Sequence, residues 1–258
     1  MPSFDSSGVE INYIAEGAGA PIVLVHGFAS SLHGNWRATG IIEALTGAGR
    51  QVIALDCRGH GRSGKPHDPK AYEGASMADD VIALMDHLQV DEADLMGYSM
   101  GGFIAMSLLV RHPGRLRNVI ISGVGDVGAR GRRDPERAQA IAAALEVDDK
   151  TSVKDVEARG FREFAEISGN DLRALAAMQR GAATRRWFDP QMLREVSLPV
   201  MVLVGEKDTL VGPAEPLAAM IPGAKLVKVP GDHLTAPGTP QFRQAILDFL
   251  AEHSPVAV

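Results

Sequence analysis

The sequence predicts an α/β fold built on a mostly parallel sheet, and three observations carry that prediction. Short apolar runs alternate with helix-like segments along the chain. Several runs are continuously β-branched or leucine-rich rather than alternating, as strands buried on both faces of a parallel sheet are. A Gly-x-Ser-x-Gly turn, Gly97-Tyr98-Ser99-Met100-Gly101-Gly102, lies between one such run and a helix-like segment.

In chain order, strands are expected at 9–15, 22–25, 52–55, 93–96, 119–121, 200–204 and 226–229. Helices are expected between them near 37–46, 77–88, 101–111 and 241–253. Strands that alternate with helices join by right-handed crossovers. One stretch breaks the rhythm. Residues 126–195 contain no strand-like run, and Ala138, Ile141, Ala142 and Leu145 recur at helical spacing, as do Phe161, Phe164 and Ala165. This reads as a helical insertion between two strands, so it should lie over the carboxyl ends of the sheet, where open α/β sheets bind ligands. The expected organisation is a core of 1–125 and 196–258 with the insertion at 126–195, and 254–258 as a loose tail.

Composition narrows the class. A chain of 258 residues with 45% hydrophobic and 22% charged residues suits one large globular domain. No apolar run reaches the roughly 18 residues of a membrane span. The formal charge of −6 speaks against a nucleic-acid partner. A single cysteine, Cys57, and no recognisable leader lead to the expectation of a cytoplasmic protein without disulfides. No His-Glu-x-x-His or Cys-x-x-Cys spacing is present, and no metal or cofactor is expected. Gly59-His60-Gly61-Arg62-Ser63-Gly64 matches a dinucleotide spacing, but the following Lys65-Pro66-His67-Asp68-Pro69 cannot open a helix.

The chemistry starts from Ser99. Gly97 and Gly101 keep the turn small enough for the backbone to reverse while the hydroxyl projects above the sheet. A serine hydroxyl is a weak nucleophile at neutral pH and needs a base, which in turn needs a carboxylate to fix its tautomer. Among eight histidines, His233 follows a strand-like run through Pro230-Gly231-Asp232, which places it at a strand's carboxyl end. Asp208 follows the run 200–204 through Gly205-Glu206-Lys207, giving the order Ser99, Asp208, His233. Asp126, after the run 119–121, is the rival acid, and Glu206 and Asp232 read as solvated neighbours. An oxyanion needs two backbone donors. Met100 offers one, and Phe28, after the run 22–25 and His26-Gly27, offers the other. In the insertion, Arg130, Arg132, Arg133, Arg185 and Arg186 read as a solvated face or an anion-attracting one. Trp187 and Phe188 are placed to line an acyl pocket or to pack the insertion onto the core.

Taken with the turn Asp56-Cys57-Arg58-Gly59-His60-Gly61-Arg62-Ser63, these elements resemble the α/β-hydrolase superfamily over nearly the whole chain. The resemblance implies a doubly wound, mostly parallel eight-stranded sheet with helices on both faces and a helical cap at 126–195. It implies an architectural role for the turn at 56–63, so that His60 is structural. It also implies a serine esterase-like member, because Ser99 stands where haloalkane dehalogenases and epoxide hydrolases use aspartate. The expected substrate is a small or medium carboxylic ester, thioester or lactone, cleaved through an acyl-enzyme. A meta-cleavage carbon–carbon hydrolase is the nearest alternative, although Tyr98 stands where those relatives commonly carry asparagine. A cofactor-free perhydrolase and a ligand receptor on the same fold are the others.

Overall fold

The computed structural model describes residues 1–126, 135–183 and 188–253. The strands are β1 Ser3–Ser6, β2 Val9–Glu16, β3 Ala20–Val25, β4 Arg50–Leu55, β5 Ala93–Tyr98, β6 Leu116–Ser122, β7 Val200–Gly205 and β8 Lys225–Val229. They form one eight-stranded sheet in the order β1-β2-β4-β3-β5-β6-β7-β8. β1 and β2 pair antiparallel, β2 joins β4 antiparallel, and every later pairing is parallel. The seven expected runs are all strands. β1 is the addition: its four residues carry no apolar run, and it joins β2 through Ser7 and Gly8, both at positive φ (53° and 82°). Two consecutive left-handed residues suit the tight hairpin turn whose twist matches the strands.

Alternate residues of each central strand face opposite layers, as the period of two requires. Val23, Val25, Ile53, Leu55, Val119 and Ile121 pack with helices α2 (Ser76–His87) and α3 (Met100–Arg111). Ile22, Leu24, Val52, Ala54 and Ile120 pack on the other face with Trp36 of the turn His33–Arg37, with Ile42 of α1 (Ile41–Gly47), and with Phe242 and Phe249 of the carboxyl-terminal helix Pro240–His253. Burying each large apolar side chain stabilises the fold by about 1.5–3 kcal/mol. The helix expected over 37–46 is in fact broken. A π-helical turn at His33–Arg37 precedes α1, and Gly40 between them stands at φ 73°, which no helix interior adopts.

In the insertion, α4 (Pro135–Glu146), α5 (Val156–Ile167) and α6 (Leu172–Ala183) form a layer of their own. Ile141, Ala142, Leu145, Ala165, Leu175 and Ala176 make its small-residue core, which meets the sheet through Ala29 in the loop after β3. Asn170 Nδ2 donates to the Ala29 carbonyl at 2.7 Å. Buried Arg162 donates through Nη1 to the carbonyls of Ala144, Leu145 and Val147, tying α5 to the end of α4. Helix α7 (Glu215–Met220) precedes β8, and α8 is Pro240–His253.

The candidate active site

Between β3 and β5 the strand order reverses, since the chain leaves β3 for β4 on one side and returns to β5 on the other. Open α/β sheets bind ligands in the crevice at such a point. Both loops there carry residues singled out by the sequence.

Ser99 occupies the step from β5 to α3 at φ 54° and ψ −111°. A non-glycine residue held there stores about 1–3 kcal/mol of strain, sustained by its surroundings. The surroundings are tight. A Cβ on Gly97 would lie 2.0 Å from the Gly101 carbonyl oxygen, and one on Gly101 would lie 2.0 Å from that of Val25. Gly102 is equally constrained, 2.5 Å from Val124 Cγ2 by the same construction. The Ser99 amide is anchored to the Ser122 carbonyl at 2.8 Å.

His233 Nε2 lies 3.0 Å from Ser99 Oγ, and its Nδ1 lies 2.7 Å from Asp208 Oδ2. With a neutral imidazole, Nδ1–H donates to the carboxylate and Nε2 accepts from the serine hydroxyl. Asp208 is shielded, its side chain 1% exposed, and its second oxygen accepts from the Leu210 amide at 3.1 Å. His233 therefore faces Asp208. The rival Asp126 lines a cavity beside Ser99 instead.

The loop that carries His233 is held by two residues whose parts the spacing did not disclose. Asp232 is not merely a solvated neighbour: its Oδ1 accepts from the amides of Leu234 and Thr235 and from the Thr235 hydroxyl. These bonds, that of the Thr235 hydroxyl first, hold its carboxyl below the usual carboxylate range. Tyr98, buried beside Ser99, donates its hydroxyl to the His233 carbonyl and packs its ring 5.3 Å from the imidazole. Burial pushes its phenol well up, so it remains a donor. A tyrosine immediately before the serine is the signal available in the sequence, but its partner lies 135 residues away.

The Phe28 loop approaches Ser99 closely, with Gly27 positioned so that a Cβ there would lie 3.3 Å from Ser99 Cβ. Gly27 N is taken by Asn35 Oδ1 at 2.7 Å. Among the described residues, the Phe28 and Met100 amides have no protein acceptor. Beneath the loop, His26 Nε2 accepts from the Cys57 amide at 2.9 Å and its Nδ1 lies 2.7 Å from the Gly27 carbonyl. Burial lowers the His26 pKa, and it pushes His60, 5.1 Å away, down to about 3. Both are neutral framework residues. The turn at 56–63 is bound the same way: Asp56 accepts from the Leu32 and Arg62 amides and from Asn12 Nδ2.

Two cavities meet at Ser99. The smaller, about 360 Å³, runs past Met100, Val124 and Asp126 to Arg137 and Gln179. The larger, about 610 Å³, is walled by Phe164, Leu234 and Pro237 and contains His233. Phe28, Glu157, Phe161 and Leu210 line both. Arg137 Nε and Nη2 bind the two Glu157 oxygens at 3.0 and 2.5 Å. Arg137 and Gln179 carry no sequence signal, because only the packing of α4 and α6 turns them inward. Trp187 lies outside the described residues, as do Arg130, Arg132, Arg133, Arg185 and Arg186. Phe188 packs on the core and does not line either cavity. Among the described residues no group of three or more His, Cys, Asp or Glu could hold a metal ion, and no helix is long and apolar enough to cross a membrane.

Known proteins resemble this chain in sequence and in fold. A 2-hydroxymuconate semialdehyde hydrolase of Pseudomonas sp. is 34% identical over 124 residues, 47% of this chain and 42% of that one. The match thus spans less than half of that relative. The 3-oxoadipate enol-lactonase 2 of Acinetobacter baylyi is 29% identical over 76% of each chain. The solved structure of a hydrolase from Pseudomonas aeruginosa PA01 superposes with a TM-score of 0.77 at 27% identity, covering 96% of this chain and 97% of that one. Residues 20–157, just over half of the chain, match the alpha/beta hydrolase fold family. Sheet order, serine turn and family match converge: this chain belongs to the α/β-hydrolase fold family.

Proposed function

We propose that the protein is a serine hydrolase that cleaves a small or medium carboxylic ester, thioester or lactone through an acyl-enzyme. The observation that carries this reading is the unbroken relay from Ser99 Oγ to His233 Nε2 at 3.0 Å and from His233 Nδ1 to Asp208 Oδ2 at 2.7 Å. His233 takes the hydroxyl proton as Ser99 attacks the carbonyl carbon, and Asp208 stabilises the imidazolium. The Phe28 and Met100 amides receive the oxyanion, a contribution of about 10²- to 10³-fold per donor. The carbon–oxygen bond breaks, and His233 returns its proton to the departing alcohol. Water then attacks the acyl-enzyme, losing its proton to His233, and Ser99 leaves protonated with release of the acid. In this reading the segment 126–195 serves as a cap that walls the two cavities, and Trp187 joins the substrate pocket. The reaction uses side chains and water and no cofactor, and the partner is a small molecule.

Carbon–carbon hydrolysis is the second reading, favoured by the likeness to a 2-hydroxymuconate semialdehyde hydrolase. A panel of simple esters, thioesters, lactones and a ring-fission dienoate, with and without a serine-directed phosphonate, separates the two. Phosphonate-sensitive turnover of an oxygen or sulfur ester is expected. Turnover of the dienoate alone would replace this reading with the second, and no turnover combined with ligand-dependent partner binding would replace both with a receptor.

A further inference from the structure

The two cavities differ in a way that fixes which half of a substrate each accepts. In the hydrolytic sequence His233 must reach the oxygen of the leaving group, so the alcohol lies on the side where the imidazole is exposed. His233 lines the larger cavity and not the smaller. The acyl group therefore extends the other way, past the Met100 amide into the smaller cavity. The alcohol side is apolar, with Phe161, Phe164, Leu210, Leu234 and Pro237 along it.

The acyl side has a polar end. Gln179 lines it, is only 7% exposed, and among the described residues its side-chain amide has no hydrogen-bond partner. A substrate oxygen or hydroxyl that meets this amide in the chamber finds a hydrogen-bonding group with no competing protein partner among the described residues. Arg137 stands in the same chamber with Nε and Nη2 engaged by Glu157 and its Nη1 donors left over.

We infer that the substrate is an ester of an apolar alcohol with a short acyl group bearing an oxo or hydroxy oxygen that pairs with Gln179. This rests on the serine-hydrolase reading and deepens it by naming the two halves of the substrate.

The test uses two comparisons of kcat/KM. Benzyl acetate and methyl phenylacetate are isomers that place the ring on opposite sides of the ester. The first is expected to turn over at least about tenfold faster, and a preference for the second would overturn the orientation. Benzyl esters of butanoate and 3-hydroxybutanoate then probe the acyl end. A preference for 3-hydroxybutanoate over butanoate of about tenfold is expected, the scale of one desolvated hydrogen bond. That ratio should collapse to within about twofold of unity in Gln179→Leu. Gln179→Met, equal in length, carries the same expectation should the leucine variant not fold. An unchanged ratio in the variants overturns the role of Gln179. Absence of all turnover, with no phosphonate attached to Ser99, overturns the serine-hydrolase reading and this inference with it. Turnover with the wrong preferences overturns the inference alone.

Discussion

The carboxyl edge of the sheet and the helical layer above it build the same cavities by different means. At the sheet edge, side-chain positions follow from the backbone. Ser99 is held at φ 54° by glycines whose neighbours lie too close for any Cβ, and His26 and Asp56 bind the adjoining loops to backbone amides. In the helical layer the constraint is looser: α4, α5 and α6 pack through alanines, and Arg137, Glu157 and Gln179 turn inward from helix faces that other residues could occupy. The difference separates tasks. Bond cleavage needs atoms held to within a fraction of an ångström, which a strained, over-determined turn supplies. Substrate choice needs only a wall that can be rewritten one side chain at a time.

Substitutions at the edge should therefore be costly and those in the layer selective. The largest effect expected is from Ser99→Ala, on the order of a million-fold in kcat, measured on any accepted ester. Near-normal turnover would remove the edge from the chemistry. Asp208→Asn should follow at about 10⁴-fold, because the imidazole loses its fixed tautomer. Asp126→Asn, measured beside it, should change kcat by less than about tenfold. Equal losses would return Asp126 to consideration as the acid.

Gly101→Ala tests the backbone side of the comparison. Its Cβ would sit 2.0 Å from the Val25 carbonyl oxygen, so the turn must shift or the fold must yield, and a loss of more than about 3 kcal/mol in denaturant unfolding is expected. Gly160→Ala in α5, where no atom lies within 4 Å of the added carbon, should stabilise by up to about 1 kcal/mol. Similar effects at both positions would erase the contrast. Tyr98→Phe removes the hydroxyl that holds the His233 carbonyl and leaves that acceptor unpaired, a loss of about 1–3 kcal/mol divided between stability and kcat.

What could be read in the sequence follows the same division. Ser99, Asp208 and His233 stand out because each follows an apolar strand through a turn, and chain order brings three strand ends to one crevice. Gly97 and Gly101 are legible because their absence of side chain is itself the requirement. β1 is illegible as a strand: only Phe4 and Ser6 face inward, and the cue lies in the Ser7-Gly8 turn. Tyr98, Gln179 and Arg137 are illegible for another reason. Their partners and orientation come from tertiary packing between distant segments, on which local periodicity is silent.

A last effect concerns the framework and is confined to acid pH. Burial keeps His60 neutral down to about 3 and depresses His26 in the same direction, while both carry the ordinary value of 6.5 when unfolded. The unfolded chain therefore binds more protons below that value. The His60 contribution to stability is complete above about pH 6.5 and is lost as pH falls toward 3, by up to about 1.4 kcal/mol per pH unit, and His26 acts in the same direction. In His60→Asn, unfolding free energies measured between pH 6.5 and 5 should decline less steeply than in the wild type; an equal slope would assign the acid sensitivity elsewhere.

The central claim is that the strained serine at the sheet edge carries the acyl group. Rapid acid quench during turnover of an accepted ester, followed by peptide mass spectrometry, reads this directly. The peptide containing Ser99 should gain the mass of the acyl group and lose that adduct in Ser99→Ala. Continued hydrolysis with no adduct on Ser99, or with the acyl group on another residue, would contradict the account.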